Sequence, residues 1–273
     1  MKKIVLSSLI ATTLLYSLQT PEELNLKIAD NKAQIATLKA KNAELTALLP
    51  INNAFITHTE LGFIMTDGNT DTISYNADVA ISKRFNAHKF KLTFNGQYSY
   101  DNTDNASTEI KNQYLTELTY NYDINDRFSF SYLNGFKQDK FSNFDYQFYT
   151  GPGATYKAII SKNHKLELEG NILYSIDNII GANTPERDEY SSYRTKAVYN
   201  WQIADSLKFD QELSYRGSFE QGDNYFVFSK SMITSQINSI LSAGLSYTLN
   251  YANEAGTLKH TDGTLNASII IDY

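Results

Sequence analysis

Residues 264–273, T-L-N-A-S-I-I-I-D-Y, decide how the rest of the sequence reads. In an extended chain successive side chains point to opposite faces. Leu265, Ala267, Ile269, Ile271 and Tyr273 therefore share one face; Thr264, Asn266, Ser268 and Asp272 share the other, where Ile270 is the one apolar residue. One face suits lipid and the other suits water. A soluble sheet can alternate in this way too, but ending on the final aromatic of the apolar face is the habit of bacterial outer-membrane barrels, whose last strand closes the sheet. Ile269, Ile271 and Tyr273 are accordingly expected to be the signal read by the barrel-insertion machinery. That reading requires earlier segments to repeat the period.

They do. Thr59, Leu61, Phe63 and Met65 alternate with His58, Glu60 and Gly62, and Ile73, Tyr75, Ala77, Val79 and Ile81 alternate with Ser74, Asn76, Asp78 and Ser82. Phe90, Leu92, Phe94, Tyr98 and Tyr100 oppose Lys91, Thr93, Asn95, Gln97 and Ser99, and Tyr114, Leu118, Tyr120 and Tyr122 oppose Gln113, Glu117, Thr119 and Asn121. Further strands centre on residues 128–137, 146–158, 165–175, 190–202, 207–219, 225–237 and 241–251. The fold class expected is an antiparallel transmembrane β-barrel of about twelve strands, an even number as single-chain barrels prefer. The connections agree, because short turns at 86–88, 125–126, 162–164, 204–206 and 238–239 alternate with longer loops such as 101–110, 177–189 and 252–262. Short turns belong on the periplasmic side, which would put both termini there. Phe85, Phe90, Tyr122, Phe128, Tyr156, Trp201, Phe209 and Tyr273 gather at one set of strand ends, and Tyr100, Tyr114, Phe136, Tyr146, Tyr174, Tyr225 and Tyr251 at the other. Two interfacial aromatic belts are expected.

Composition supports the same class. The 273 residues include 20 Tyr against 1 Trp, no Cys, and have a mean hydropathy of −0.39. Without cysteine there is no disulfide framework, thiolate metal site, Cys nucleophile or lipid-modified N-terminal Cys. Beyond the first residues no apolar run approaches the roughly 20 residues of a membrane helix, which leaves a closed barrel as the way to span a bilayer. Low mean hydropathy is then natural, because half of each strand faces a polar lumen.

Residues 1–19 carry Lys2 and Lys3 before an apolar run from Ile4 to Leu18, the pattern of a secretory signal peptide. Its removal leaves 22 basic against 30 acidic residues, a net charge of −8 that argues against nucleic acid as a partner. Residues 20–50 read as a helix: Thr20 caps, Pro21 takes the first helical position, and Glu23 completes a capping box. Leu24, Ile28, Asn31, Ile35, Leu38, Asn42, Leu45 and Leu49 then recur four and three apart until Pro50, which is coiled-coil spacing with two asparagines in the seam. The expectation is a periplasmic coiled coil that joins copies of the chain, with packing on a barrel or another periplasmic surface as the alternative. Residues 51–273 form the barrel.

Glu60-Leu61-Gly62-Phe63 followed by Thr66-Asp67-Gly68-Asn69-Thr70-Asp71-Thr72, then Asp126-Arg127-Phe128, Asp139-Lys140-Phe141, Phe144-Asp145-Tyr146 and Gly151-Pro152-Gly153, together with the aromatic end, carry a resemblance to a known family. Over residues 54–273 the sequence resembles the salt-induced outer-membrane protein family, a domain of unknown function. Asp67 stands where that family commonly has Ser. The resemblance implies an outer-membrane barrel and brings no catalytic residues, and the helix lies outside it.

The chemistry available lies on the water-facing rows. Glu60, Lys91, Glu117, Lys137, Glu167, Glu169, Lys208, Asp210, Glu212 and Arg216 are the candidate lumen charges, joined on the same face by Asp78, Lys157, Arg194, Lys196 and Lys230. Mixed signs suit either a narrow water-filled pore tuned by its charges or an interior zipped by salt bridges. Lys208, Asp210 and Glu212 with Glu167 and Glu169 would form charged cross-strand rungs. Of the four histidines, His88 and His164 fall in short turns, His58 near the first strand, and His260 beside Asp262 in the last long loop. None has the spacing of a zinc site, and a catalytic base needs a positioned partner in a protected site, so no enzyme, metal or cofactor is expected. Asp67-Gly68-Asn69-Thr70-Asp71 resembles the start of a calcium loop but lacks its later Gly and Glu, and a hairpin turn explains it. Acidic loop residues Asp101, Asp104, Glu186, Asp188 and Glu189 could share divalent cations with lipopolysaccharide, the expected lipid partner. The function expected is a narrow channel for small hydrophilic solutes or ions. The alternative is a non-conducting structural or envelope-stress barrel that anchors the coiled coil.

Overall fold

In the computed structural model, residues 21–48, 54–66, 72–102, 107–180, 186–253 and 259–273 are described, with helix side chains at 23–38 and 41. The signal peptide, Thr20, Leu49 and the turn at 67–71 lie outside them. The chain divides into two units, Met1–Ile51 and Asn52–Tyr273.

In the first unit helix α1, Pro21–Leu48, runs for 28 residues. Thr37 returns its hydroxyl to the Ala33 carbonyl at 3.0 Å, and Gln34 donates to Asp30 at 3.0 Å. Leu24, Ile28, Asn31, Ile35 and Leu38 of the expected seam are exposed. Asn42 and Leu45 lie within α1, but their side chains are outside the described ones. No described helix is long and apolar enough to cross a membrane.

The second unit is one closed sheet of twelve strands: β1 (Ile56–Thr66), β2 (Thr72–Phe85), β3 (His88–Asp101), β4 (Thr108–Asp123), β5 (Phe128–Asp139), β6 (Phe144–Ile160), β7 (His164–Ile179), β8 (Glu186–Ala204), β9 (Leu207–Ser218), β10 (Tyr225–Gln236), β11 (Leu241–Ala252) and β12 (Thr261–Asp272). Each strand pairs antiparallel with its sequence neighbours, and β12 returns to β1. Closure leaves no free sheet edge, which is how a sheet satisfies its backbone in a bilayer. The short turns carry their own chemistry. Asn86 takes φ 53° in the β2–β3 turn, a left-handed conformation that Asn tolerates. The Asn125 side chain accepts from the Arg127 and Phe128 amides at 2.9 and 2.8 Å, and Asn238 repeats this for Ile240 and Leu241.

Leu61, Phe63, Phe94, Phe130, Leu168, Ile172, Leu245, Leu265, Ile269 and Tyr273 stand exposed on the outer wall. Glu60, Gln113, Ser131, Asn171, Arg194 and Asn266, on the alternate rows of their strands, are buried inside. Polar residues inside and apolar residues outside is the inverse of a soluble core. The expected belts are present as ring contacts. At the turn end Phe85 meets Phe90 at 6.5 Å, Phe90 meets Tyr120 at 5.1 Å and Phe128 meets Tyr156 at 6.4 Å. At the loop end Tyr114, Phe136 and Tyr146 form one run, and Tyr193, Tyr215, Tyr225 and Tyr251 form another.

One boundary needs correction. The expected loop at 177–189 is much shorter, because β7 continues to Ile179 and β8 begins at Glu186, pairing Asp177 with Asp188. Charged residues on both faces hide the period there, yet past the apolar band a strand needs no lipid-facing side chains and its ladder can continue. Glu186, Asp188 and Glu189 are thus strand residues, Asp101 ends β3, and Asp104 is outside the described residues.

Candidate functional site

All ten candidate lumen charges stand on inward rows. Register aligns Lys91 with Thr119, Glu117 with Gly135, Lys137 with Leu115, Glu167 with Lys157, Glu169 with Lys196, and Lys208, Asp210, Glu212 and Arg216 with Gln202, Asn200, Val198 and Arg194. The interior they share has two halves.

The half behind β5, β6 and β7 is filled. Gly151 and Gly153 remove two successive side chains from the inner row of β6, so Asn171 of β7 reaches Ser131 of β5 at 3.5 Å across that gap. Leu133, Tyr149 and Leu173 pack into a small dry cluster beside them. Tyr149 lies over Gly135, where a Cβ would come within 2.2 Å of its ring, and donates its hydroxyl to Glu117 at 2.5 Å. Arg194 from β8 meets the same carboxylate at 3.4 Å. Arg216 lies over the Tyr149 ring at 4.8 Å and over Phe226 at 4.5 Å, donates to Ser175 at 3.3 Å and stands 3.8 Å from Asp177. Asp177 is fully buried and also accepts from Tyr190 at 2.7 Å and Gln147 at 3.0 Å.

The other half is open. A cavity of about 1090 Å³ is lined from Asp272, Gln202, Ser206 and Gln236 at the turn end to Ser142, Lys259 and Asp262 at the loop end. Its wall carries a second network. Lys230 of β10 donates to Glu60 of β1 at 2.7 Å and to Asp78 of β2 at 2.5 Å. Glu60, 1% exposed, also accepts from Ser268 at 3.0 Å and Ser246 at 3.3 Å, and Asn95 donates to Asp78. Lys196 pairs with Glu212 at 2.5 Å and Lys208 with Asp210 at 2.9 Å. The rung expected between Lys208–Glu212 and Glu167 with Glu169 is not formed; Lys196, which faces Glu169 in register, turns to Glu212 instead. The fixed electrostatics of the lining thus come mostly from paired charges, with Lys230 shared between Glu60 and Asp78, and not from a like-charged ring.

Sequence reasoning missed Tyr149 and Asp177. Tyr149 sits on the inner face of a strand whose inner row is mostly glycine and polar residues, and Asp177 was hidden in the overestimated loop. The Gly-Pro-Gly run at 151–153 was the available signal, because paired glycines on an inner row invite a neighbour's side chain to fill the space.

The histidines do not assemble a catalytic group. His88, His164 and His260 stack on belt tyrosines Tyr120, Tyr199 and Tyr251 at 5.9, 6.1 and 5.9 Å, while His58 pairs with Asp272 at 2.6 Å at the turn end. Among the described residues no group of three His, Asp or Glu side chains is placed to hold a metal.

No protein of curated description matches the sequence. The fold is similar to an outer-membrane channel from Pseudomonas putida F1, at 11% identity and TM-score 0.52, covering 82% of this chain and 97% of that one. Looser likenesses include the translocator domain of the autotransporter NalP from Neisseria meningitidis, at 11% identity and TM-score 0.44 over 89% of this chain and 97% of that one. The outer-membrane channel DcaP of Acinetobacter baumannii follows at 9% identity and TM-score 0.39, over 80% and 95%. These likenesses concern the fold, and the family is given by the sequence: residues 59–273 match the family described as Protein of unknown function, DUF481, and the chain belongs to it, as an outer-membrane type of β-barrel.

Proposed function

We propose that the barrel is a narrow passive channel for small hydrophilic solutes or ions across the bacterial outer membrane, with its short turns and both termini on the periplasmic side. The observation that carries this reading is the open half of the lumen, whose lining reaches both ends of the barrel. Spread over a barrel height of roughly 30 Å, the cavity of about 1090 Å³ has a free cross-section on the order of 35 Å². That suits single file passage of hydrated ions or small sugars and excludes folded polypeptide. The filled half supports the reading as well, because its side chains are held by named bonds and leave the open half clear. A fold shared with a solved outer-membrane channel agrees with this and does not by itself name a solute.

A second reading, a non-conducting barrel that anchors a coiled coil, is supported by a different observation: Leu24, Ile28, Ile35 and Leu38 repeat at coiled-coil spacing on α1 and are all exposed. Osmotic swelling of liposomes carrying the refolded protein separates the two. Pentoses and hexoses are expected to enter faster than disaccharides. Swelling no faster than in protein-free liposomes, from a barrel shown to be folded, would leave the anchor reading.

A further inference from the structure

We infer that the open half of the lumen is an anion path, in which Lys91 and Lys137 bind small inorganic anions and carboxylates in transit. The inference rests on the channel reading above and names its solute class.

The lining carries ten lysines and arginines against eight carboxylates, although the chain as a whole is acidic. Pairing decides which of these charges a passing ion meets. Glu60, Asp78, Glu117 and Glu212, the lining carboxylates between the two ends, are each within 3.4 Å of a cation. Lys230 serves both Glu60 and Asp78, so these four carboxylates meet three cations and that stretch keeps a single negative charge in excess, at the Glu60–Asp78 pair. The cations are not all matched in return. Lys91 and Lys137 line the same cavity, and among the described residues neither has a carboxylate within ion-pair distance. Lys91 is moreover exposed although it points inward, so its ammonium faces lumen water and not a protein partner.

Their places along the path matter too. Glu117 is in register with Thr93 and Gly135, so Lys91 on β3 stands two residues towards the turn end of that row and Lys137 on β5 two residues towards the loop end. Four residues of strand separate the two levels by roughly 13 Å, a step short enough for one site to hand an ion to the next. Lysine suits the task. Its ammonium is a compact charge with three donors that binds an anion without the bidentate clamp of arginine, and conduction needs sites that attract and still release. Walls of low dielectric strengthen the attraction relative to bulk water.

The test is the reversal potential of the full mature chain in planar bilayers under a potassium chloride gradient. Wild-type protein is expected to prefer chloride over potassium. Lys91→Gln with Lys137→Gln should bring the permeability ratio towards unity while conductance persists, Lys91→Glu with Lys137→Glu should favour potassium, and Lys91→Arg with Lys137→Arg should keep the anion preference. Heat-modified electrophoretic mobility checks that every variant is folded. Conductance with a wild-type preference for potassium, or a reversal potential unmoved by the double Gln variant, overturns the anion path alone. Absence of any conductance from folded wild-type protein overturns the channel reading, and this inference with it.

Discussion

Glu60 is 1% exposed, and its carboxylate is held by Lys230, Ser268 and Ser246. A buried pair broken from one side leaves an uncompensated charge, which costs about 3–5 kcal/mol. Lys230→Ala should therefore lower unfolding stability in lipid vesicles by roughly that amount, while Lys230→Met combined with Glu60→Gln and Asp78→Asn should recover most of the loss. A single variant no less stable than the triple one would refute this. Glycines separate in the same way. At Gly151 an added Cβ would lie 2.0 Å from the Ile172 carbonyl oxygen, so Gly151→Val should prevent folding into vesicles. At Gly170 nothing lies within 4 Å, so Gly170→Ala should change stability by no more than about 0.5 kcal/mol, read from the same urea titrations. Direction of pointing at this scale was legible: the inward placement of Lys91, Glu117 and Lys137 follows from a period of two. Partnership was not. Lys230 meets Glu60 from 170 positions away, and only barrel closure brings them together.

Closure is made by the shortest ladder in the barrel. β12 pairs with β11 over eleven positions but with β1 over five, from His58 opposite Asp272 to Gly62 opposite Ser268. Beyond Gly62 side chains replace the ladder. Asn266 sits against Gly62 and accepts from Asn76 at 3.3 Å, and Lys111 of β4 reaches Asp262 at 2.5 Å and Thr264 at 3.4 Å. Amides in residues 261–267 that point towards β1 should thus exchange with deuterium faster than those in the same strand that point towards β11. Uniform protection along β12 would contradict that. For α1 the expected outcome concerns assembly: Ile35→Asp should abolish oligomers of the full chain in mild detergent, seen by sedimentation, and unchanged mass would rule out the coiled-coil seam. Strand number and alternation could be read from sequence because each strand must satisfy lipid on one side over its whole apolar band. Strand ends could not, as the stretch 177–189 shows, because beyond that band the ladder persists without a pattern to mark it.

As a whole the molecule is a barrel with one wall packed and one side left clear. The sequence told of a mixed-charge interior and left two outcomes open, a pore or a zipped plug. The structure contains both: Asn171 of β7 meets Ser131 of β5 over Gly151 and Gly153, and Arg194–Glu117 and Lys230–Asp78 bridge strands across the interior, while a cavity of about 1090 Å³ stays open beside them. No local pattern encodes this division, which depends on side chains brought together from distant strands. That the clear side conducts is a claim about ion flow, and single-channel recording of the refolded full chain in planar bilayers reads that flow itself. Steady, reproducible steps are expected, reduced in size when Thr248→Trp places a bulky ring on the lumen wall. Electrical silence from a barrel shown to be inserted and folded would contradict the claim.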